Sequence, residues 1–206
     1  HGYADDHIHR EYFQIEVDNS GASFEVVAAR SGKTVQVAEG QTILAALADR
    51  DLDWSRIAVW PGDDRIVAED HAASNVGRIR AALEPLGARV VALAEGAAVP
   101  HFALTWLGMG GDGHIASLFP NTDPRIDDPL TVRRLTPDPL PAHAPFDRIT
   151  RTIPALLNTS ALVFTLGGAA DKRAVFEAAL AGEHDLPVAR LLREAEARGI
   201  PVTVFT

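Results

Sequence analysis

Residues 102–120 read FALTWLGMGGDGHIASLFP, and this stretch decides the fold class. Its first six residues are apolar apart from one threonine, which predicts a buried strand. Four glycines then fall within the six positions 108–113. Because glycine tolerates positive φ and lets the backbone approach a ligand closely, the pattern predicts a strand that runs into a tight, ligand-facing loop.

Outward from this stretch, the chain alternates between strand-like and helix-like segments. The predicted strands span 56–60, 89–93, 102–107, 161–166 and 201–205, and the predicted helices span 73–83, 172–180 and 187–198. The strands are continuous apolar runs, and such strands with helices between them form parallel sheets buried on both faces. We therefore predict an α/β fold with a largely parallel sheet flanked by helices. Ligands of such sheets bind beyond the carboxyl ends of the strands.

The residues among the glycines indicate chemistry. Asp112 and His114 stand within and directly after the glycine run. A histidine can act as a general base near neutral pH, and successive backbone N–H groups in a glycine loop can bind an anion. On residue types alone the loop is a candidate catalytic loop, and a purely structural turn is the alternative.

Composition excludes several classes of function. The 206-residue chain has no cysteine, which excludes disulfides, thiolate zinc sites and cysteine-ligated iron–sulfur clusters. Its net charge of -9 argues against binding nucleic acid through phosphates. No apolar run reaches the roughly 20 residues that cross a bilayer, and no signal peptide is visible at the start. We expect a cytoplasmic protein that binds neither nucleic acid nor membranes, and the oligomeric state is left open.

Residues 107–120 resemble the signature of the 6-phosphogluconolactonases and, more distantly, that of the glucosamine-6-phosphate deaminases. The ending Ser117-Leu118-Phe119-Pro120 favours the lactonases. Further segments similar to that family follow in its order: Gly62-Asp63-Asp64-Arg65, Ser74-Asn75, Arg148-Ile149-Thr150, residues 153–158, and Lys172-Arg173. Asp64 stands where the family usually has glutamate. The resemblance covers about residues 51–206, and it implies the sugar-phosphate isomerase/deaminase-like, Rossmann-like form of the fold.

The resemblance implies hydrolysis of 6-phospho-D-glucono-1,5-lactone in the oxidative pentose phosphate pathway, with no metal and no cofactor. His114 would be the base, and Asp112 and Asp63 would orient the site or fix the imidazole tautomer. The implied substrate-binding residues are Arg65, Lys172 and Arg148 for the phosphate, Asn75 for sugar hydroxyls, and Gly110, Gly111 and Gly113 in the loop. The alternatives are loop caps for the aspartates, surface ion pairs for the cations and a helix cap for Asn75.

The first 50 residues depart from the lactonase pattern. The family's Gly-Gly-Ser-Thr-Pro-like phosphate loop has no counterpart, the nearest string being Glu39-Gly40-Gln41-Thr42. Residues 10–47 instead resemble the start of the ferredoxin domain of phthalate- and vanillate-type oxygenase reductases, without its cysteines. Residues 24–29 and 33–37 predict a β-hairpin, and 42–50 a short helix. We therefore divide the chain into an atypical β-grasp-like segment, 1–50, and a lactonase-like α/β domain, 51–206.

Two other functions remain as alternatives. One is a catalytically impaired protein that binds sugar phosphates without the N-terminal phosphate loop, and the other is a glucosamine-6-phosphate deaminase-like isomerase. Residues 121–146 hold six prolines and predict a long surface excursion without regular structure, which either covers a site or is a solvated connection.

Overall fold

The computed structural model describes residues 24–28, 33–37, 53–141, 144–167 and 170–205. The strands of this part of the chain are β1 (Phe24–Ala28), β2 (Lys33–Val37), β3 (Ala58–Val59), β4 (Asp63–Arg65), β5 (Arg89–Val90), β6 (Thr105–Gly108), β7 (Val132–Leu135), β8 (Arg148–Arg151), β9 (Leu162–Thr165) and β10 (Val202–Phe205). Its α-helices are α1 (Asn75–Leu83), α2 (Ile153–Leu156), α3 (Ala170–Ala181) and α4 (Pro187–Ala197). No helix among these residues has the length and apolar character needed to cross a membrane.

Strands β6, β9 and β10 form the parallel sheet that the alternating pattern predicts, with β9 in the centre. The register pairs Gly108 of β6 with Thr165 of β9, so both strands end at the same edge. The glycine loop after β6 and the segment after β9 therefore leave the sheet side by side. This edge is where α/β proteins bind their ligands. Strands β3 and β5 form a second, shorter parallel pair.

The main hydrophobic core joins the parallel sheet to α3 and α4. Phe164 of β9 packs edge-on against Phe176 of α3, with ring centroids 5.1 Å apart. Leu191 of α4 is fully buried in the same cluster, and so is Ile115, the residue that follows His114. Because burying a large apolar side chain stabilises the fold by about 2 kcal/mol, Ile115 anchors the far end of the glycine loop in the core.

The stretch 121–146 contains a strand, so the prediction of no regular structure there was wrong. Strand β7 pairs antiparallel with β8, and its Val132 is fully buried. The reason is that proline disturbs only its own position and the one before it, and residues 130–136 are free of proline. Arg133 of β7 is bound by Asp128 within the same stretch, through hydrogen bonds of 2.8 and 2.9 Å.

Strand β8 also pairs with β4, which gives a three-stranded antiparallel sheet in the order β4-β8-β7. The sequence patterns did not predict this sheet. It places Asp63, Arg65 and Arg148 on two adjacent strands, with Arg65 opposite Arg148 and Asp63 opposite Thr150. Three of the predicted site residues therefore lie on one sheet.

Strands β1 and β2 pair antiparallel from Phe24 with Val37 to Ala28 with Lys33, which confirms the predicted hairpin pairing. The helix predicted over 42–50 and the string Glu39-Gly40-Gln41-Thr42 lie outside the described residues. The division of the chain at residue 50 stays a prediction.

Helix α1 begins at a capped N-terminus. Ser74 Oγ accepts a hydrogen bond from the Gly77 N–H, as an N-cap serine does. Asp64, which is 6% exposed, adds three bonds from backbone N–H groups: Arg65 at 2.8 Å, Asn75 at 2.6 Å and Val76 at 2.9 Å. Asp64 thus ties β4 to the first turn of α1.

The replacement Asp64→Ala should lower the free energy of unfolding by about 3 kcal/mol, because three donors would lose a charged acceptor. Urea denaturation followed by circular dichroism measures this. The control Asp70→Ala removes an exposed carboxylate from the loop between β4 and α1 and should cost less than about 0.5 kcal/mol. Equal effects of the two substitutions would contradict a capping role for Asp64.

Candidate active site

The glycine loop is a closed turn at the end of β6. Met109 and Ile115 form an antiparallel bridge across its base. Inside it, the Gly110 N–H donates to the His114 carbonyl and the Gly113 N–H donates to the Gly110 carbonyl, both at 3.0 Å. The N–H groups of Gly111 and Asp112 make no hydrogen bond with any residue that the structure describes, so both are loop donors left for a ligand.

Asp112 holds the ring of His114. The His114 Nδ1 atom lies 2.6 Å from Asp112 Oδ1, which also accepts the His114 backbone N–H at 3.2 Å. Because a carboxylate can only accept, Nδ1 of the neutral ring carries the hydrogen and the lone pair lies on Nε2. The His114 side chain is 32% exposed, and its ring packs on Phe119 with centroids 4.7 Å apart. The geometry gives a half-exposed base with a fixed tautomer.

At two positions of the loop, Gly110 and Gly113, there is no room for a Cβ atom. A Cβ on Gly110 would lie 2.2 Å from both Cε1 and Nδ1 of His114. Gly113 has a φ of +78°, and its Cβ would lie 2.8 Å from a Leu186 methyl. The imidazole therefore rests directly on the Gly110 backbone, which no other residue type permits.

Helices α3 and α4 support the loop from the same edge of the sheet. The Val188 N–H of α4 donates to the Gly113 carbonyl at 3.1 Å. A Cβ on Gly111 would lie 3.3 Å from Asp171 Oδ2 in the first turn of α3. The next residue, Lys172, is half-buried and makes no ion pair with the residues that the structure describes. Among the described residues, Lys172 is thus a cation without an ion pair in the first turn of α3, which borders the glycine loop.

A short hydrogen bond joins the loop to the antiparallel sheet. Ser117 lies three residues after His114, and its hydroxyl donates to Asp63 Oδ2 at 2.5 Å. The Ser117 N–H donates to Thr150 Oγ1 at 3.2 Å. Burial raises the pKa of Asp63, and the hydrogen bond from Ser117 acts in the opposite direction. The segment that follows His114 is therefore fixed to β4 and β8.

Two arginines flank Asp63, and their charges also act to lower the pKa of its carboxyl. Arg148 is 3% exposed and donates to the carbonyls of Phe146 at 2.5 Å and Ala144 at 2.6 Å. Burial lowers the pKa of Arg148, and the nearby Arg65 charge lowers it further. Arg148 is thus turned toward the loop before β8, whereas Arg65 is half-buried.

Asn75 contacts the protein through both amide atoms of its side chain. Its Oδ1 accepts from Arg65 Nη1 at 2.5 Å, and its Nδ2 donates to the Asp63 carbonyl at 2.9 Å. The helix-cap alternative for Asn75 is wrong, because Ser74 is the N-cap of α1 and Asn75 is the first helical residue, with its side chain bonded to β4.

The structure joins most of the predicted site residues by direct contacts. Asp112 bonds to His114, and Asp63 bonds to the segment after His114; Arg65, on the same strand as Asp63, bonds to Asn75. Sequence reasoning missed Ser117, Phe119 and Thr150. The first two stand inside the quoted glycine stretch, and Thr150 stands in the segment Arg148-Ile149-Thr150 that resembles the lactonase family, so each could have been found there. Among the described residues, no three His, Asp or Glu side chains converge as metal ligands would.

Comparison with known proteins identifies related sequences. The model of the family described as glucosamine-6-phosphate isomerases/6-phosphogluconolactonase matches residues 24–94 and 85–199. A 6-phosphogluconolactonase of Pseudomonas aeruginosa is 36% identical, with 80% of each chain covered. One from Caulobacter vibrioides is 34% identical, covering 82% of this chain and 83% of the relative. The family match begins at residue 24 and so includes strands β1 and β2.

A solved structure has the same fold. The crystal structure of a 6-phosphogluconolactonase from Shewanella baltica aligns with a TM-score of 0.63 at 26% identity, covering 79% of this chain and 76% of that chain. This agrees with the parallel sheet flanked by helices that the sequence predicts.

Proposed function

Because the chain belongs to the family of glucosamine-6-phosphate isomerases and 6-phosphogluconolactonases, we propose that it hydrolyses 6-phospho-D-glucono-1,5-lactone to 6-phosphogluconate. The curated relatives named above are 6-phosphogluconolactonases, which favours the lactonase over the deaminase branch. The observation that carries the proposal is the contact of 2.6 Å between Asp112 and His114 in the loop at the carboxyl end of β6. It presents a neutral imidazole with its lone pair on Nε2, as hydrolysis of an activated ester requires.

The reaction follows from this geometry. Nε2 of His114 takes a proton from a water molecule as the water oxygen attacks C1 of the lactone. The carbonyl becomes a tetrahedral oxyanion, to which the free N–H of Gly111 donates. Collapse breaks the bond between C1 and the ring oxygen, and the imidazolium returns the proton to that oxygen. The product is the open-chain acid, and Asp112 stabilises the transient imidazolium throughout.

Asp63 holds the site together in this proposal. Its bond to Ser117 fixes the segment after the base to the strand that carries Arg65. Arg65 and Lys172 bind the substrate phosphate, since guanidinium and ammonium groups form strong charge-assisted hydrogen bonds to it. Arg148 is buried and donates to two backbone carbonyls, so it adds positive charge near Arg65 but does not contact the substrate in this proposal.

The proposal is tested by adding the purified chain to freshly prepared 6-phospho-D-glucono-1,5-lactone. We expect hydrolysis well above the spontaneous rate, and no release of ammonia from glucosamine 6-phosphate. Calorimetric binding of 6-phosphogluconate without any acceleration would instead support the impaired binding protein. A reaction with glucosamine 6-phosphate alone would support the isomerase.

The replacements Arg65→Ala and Lys172→Ala should each raise KM for the phosphorylated lactone by about 10- to 100-fold, since each removes charge-assisted bonds to phosphate. We expect kcat to change little. Initial rates over a range of lactone concentrations measure both constants, and glucono-1,5-lactone serves as the substrate without phosphate. Arg89→Ala, at an exposed arginine of β5, is the control. A KM unchanged by either replacement would remove that residue from the phosphate site.

The pathway and the location are part of the same proposal. The hydrolysis of this lactone would belong to the oxidative pentose phosphate pathway, as the family resemblance implies. A cytoplasmic location stays a prediction from the cysteine-free composition.

A further inference from the structure

The guanidinium of Arg65 is held by one residue. Among the residues that the structure describes, Asn75 Oδ1 is its only hydrogen-bond partner, through Nη1 at 2.5 Å. Arg65 Nε is enclosed by the protein and has no partner. The position of the charged end of Arg65 therefore depends on Asn75 more than on any other polar group described.

Asn75 is itself fixed at three points. Its backbone N–H donates to Asp64 Oδ1 at 2.6 Å, and its Nδ2 donates to the Asp63 carbonyl at 2.9 Å. The third point is the bond from Arg65 to Oδ1. The amide is thus locked between the start of α1 and β4, in the orientation that presents its oxygen to Arg65. Each of its two amide atoms already makes one hydrogen bond within the protein.

The partner of Arg65 is neutral. In the described part of the chain Arg65 forms no ion pair, although two aspartates precede it on β4. The Asp64 carboxylate is occupied by backbone N–H groups, and the Asp63 carboxylate by Ser117. An amide oxygen orients a guanidinium without cancelling its charge, whereas a carboxylate in contact would do both.

We propose that Asn75 is a positioning residue, which fixes the guanidinium of Arg65 through a neutral amide so that its positive charge faces the phosphate of the substrate. The inference rests on the proposed binding of phosphate by Arg65. It assigns Asn75 a role different from both a sugar contact and a simple helix cap.

A double-mutant cycle tests the proposal. In the full chain, Asn75→Ala should raise KM for 6-phospho-D-glucono-1,5-lactone by about 10-fold and leave kcat within about 3-fold, because one bond to a charged group is lost. In the Arg65→Ala background the same replacement should change KM by less than about 2-fold, since the positioned group is gone. Asn75→Ala should not change the kinetic constants for glucono-1,5-lactone, which has no phosphate, in either background.

The variant Asn75→Asp separates positioning from capping. Aspartate at the start of a helix is favourable for the helix dipole and keeps the acceptor for Arg65. A capping role therefore predicts normal activity. Our proposal predicts a rise in KM at least as large as for Asn75→Ala, on the order of 10- to 100-fold, because the added carboxylate neutralises Arg65. Urea denaturation of each variant records its stability, and Arg78→Ala, exposed on the same helix, is the control.

The outcomes are distinguishable. If Arg65→Ala leaves KM unchanged, the proposed phosphate role of Arg65 fails and the inference fails with it. If Arg65→Ala raises KM but Asn75→Ala acts equally in both backgrounds, only the inference is overturned. Normal KM for Asn75→Asp would also overturn it. If Asn75→Ala lowered kcat/KM equally for glucono-1,5-lactone, which lacks phosphate, Asn75 would have a structural role and the inference would be overturned.

Discussion

His114→Ala should lower kcat for hydrolysis of 6-phospho-D-glucono-1,5-lactone by about 10²- to 10⁴-fold, the usual contribution of a general base. Nε2 of His114 holds the lone pair that accepts the proton of water, because Nδ1 is committed to Asp112. The ring lies on the protein surface at 32% exposure, so its removal should leave stability nearly unchanged. Progress curves corrected for spontaneous hydrolysis, together with circular dichroism, measure both quantities.

The matched control is His101→Ala. His101 is an exposed histidine, and both of its ring nitrogens form hydrogen bonds, to Asn158 at 3.1 Å and to Ser160 at 2.9 Å. It lies before β6, outside the glycine loop, and its replacement should leave kcat unchanged. The kcat of Asp112→Asn should lie between those of His114→Ala and His101→Ala. An amide oxygen still holds the ring of His114, but it stabilises the imidazolium less well than a carboxylate does. Equal activity of His114→Ala and His101→Ala would exclude His114 as the base.

The second large effect is expected for Gly110→Ala. The added Cβ would lie 2.2 Å from two atoms of the His114 ring and 2.7 Å from Asp112 Oδ1, so the imidazole must leave its place. A displacement of about 1 Å at a catalytic group can cost on the order of 10²-fold in rate, and we expect kcat to fall by about that factor. The polar groups of the loop remain present, which makes this a test of geometry alone.

Gly108→Ala is the control for Gly110→Ala. Gly108 lies two residues earlier, at the end of β6, and its Cβ would find its nearest neighbour, the Thr165 carbonyl oxygen, at an ordinary 3.9 Å. We expect nearly normal kcat for this variant. A Gly110→Ala protein with normal kcat would mean that the imidazole can work from another position, which contradicts the fixed geometry derived above.

The sequence predicted those parts of the fold that are specified locally. The apolar run before Gly108 and the glycines after it predict a strand ending in a loop, and β6 ends at Gly108. Helices α3 and α4 lie within two residues of their predicted bounds, because their apolar periodicity is a property of the segment itself. The same holds for the catalytic motif, where Asp112 and His114 are two residues apart and touch within one turn.

The parts that depend on distant pairing could not be predicted. Asp63 and Ser117 are 54 residues apart, and no local pattern in either segment predicts the hydrogen bond between them. The strand β7 is defined by its partner β8, since the prolines around it hide a four-residue strand from any local pattern. The direction of the Arg148 side chain, toward two carbonyls of its own loop, is likewise decided by packing.

The N-terminal segment, residues 1–50, is where the sequence departs most from the lactonase pattern, and it contains none of the predicted site residues. Its hairpin pairing is confirmed, and the family match reaches back to residue 24. The resemblance of residues 10–47 to a ferredoxin domain and the division at residue 50 stay predictions. If the usual phosphate loop is lacking, more of the phosphate binding falls to Arg65 and Lys172, which is why their replacement should act on KM.

Chemical rescue tests most directly whether His114 is the base. Added imidazole should restore part of the lactone hydrolysis by His114→Ala, in proportion to its concentration and above the rate of the same solution without protein. It should have no such effect on Gly110→Ala, where the native ring still occupies the loop. Wild-type kcat in His114→Ala without imidazole would contradict the account.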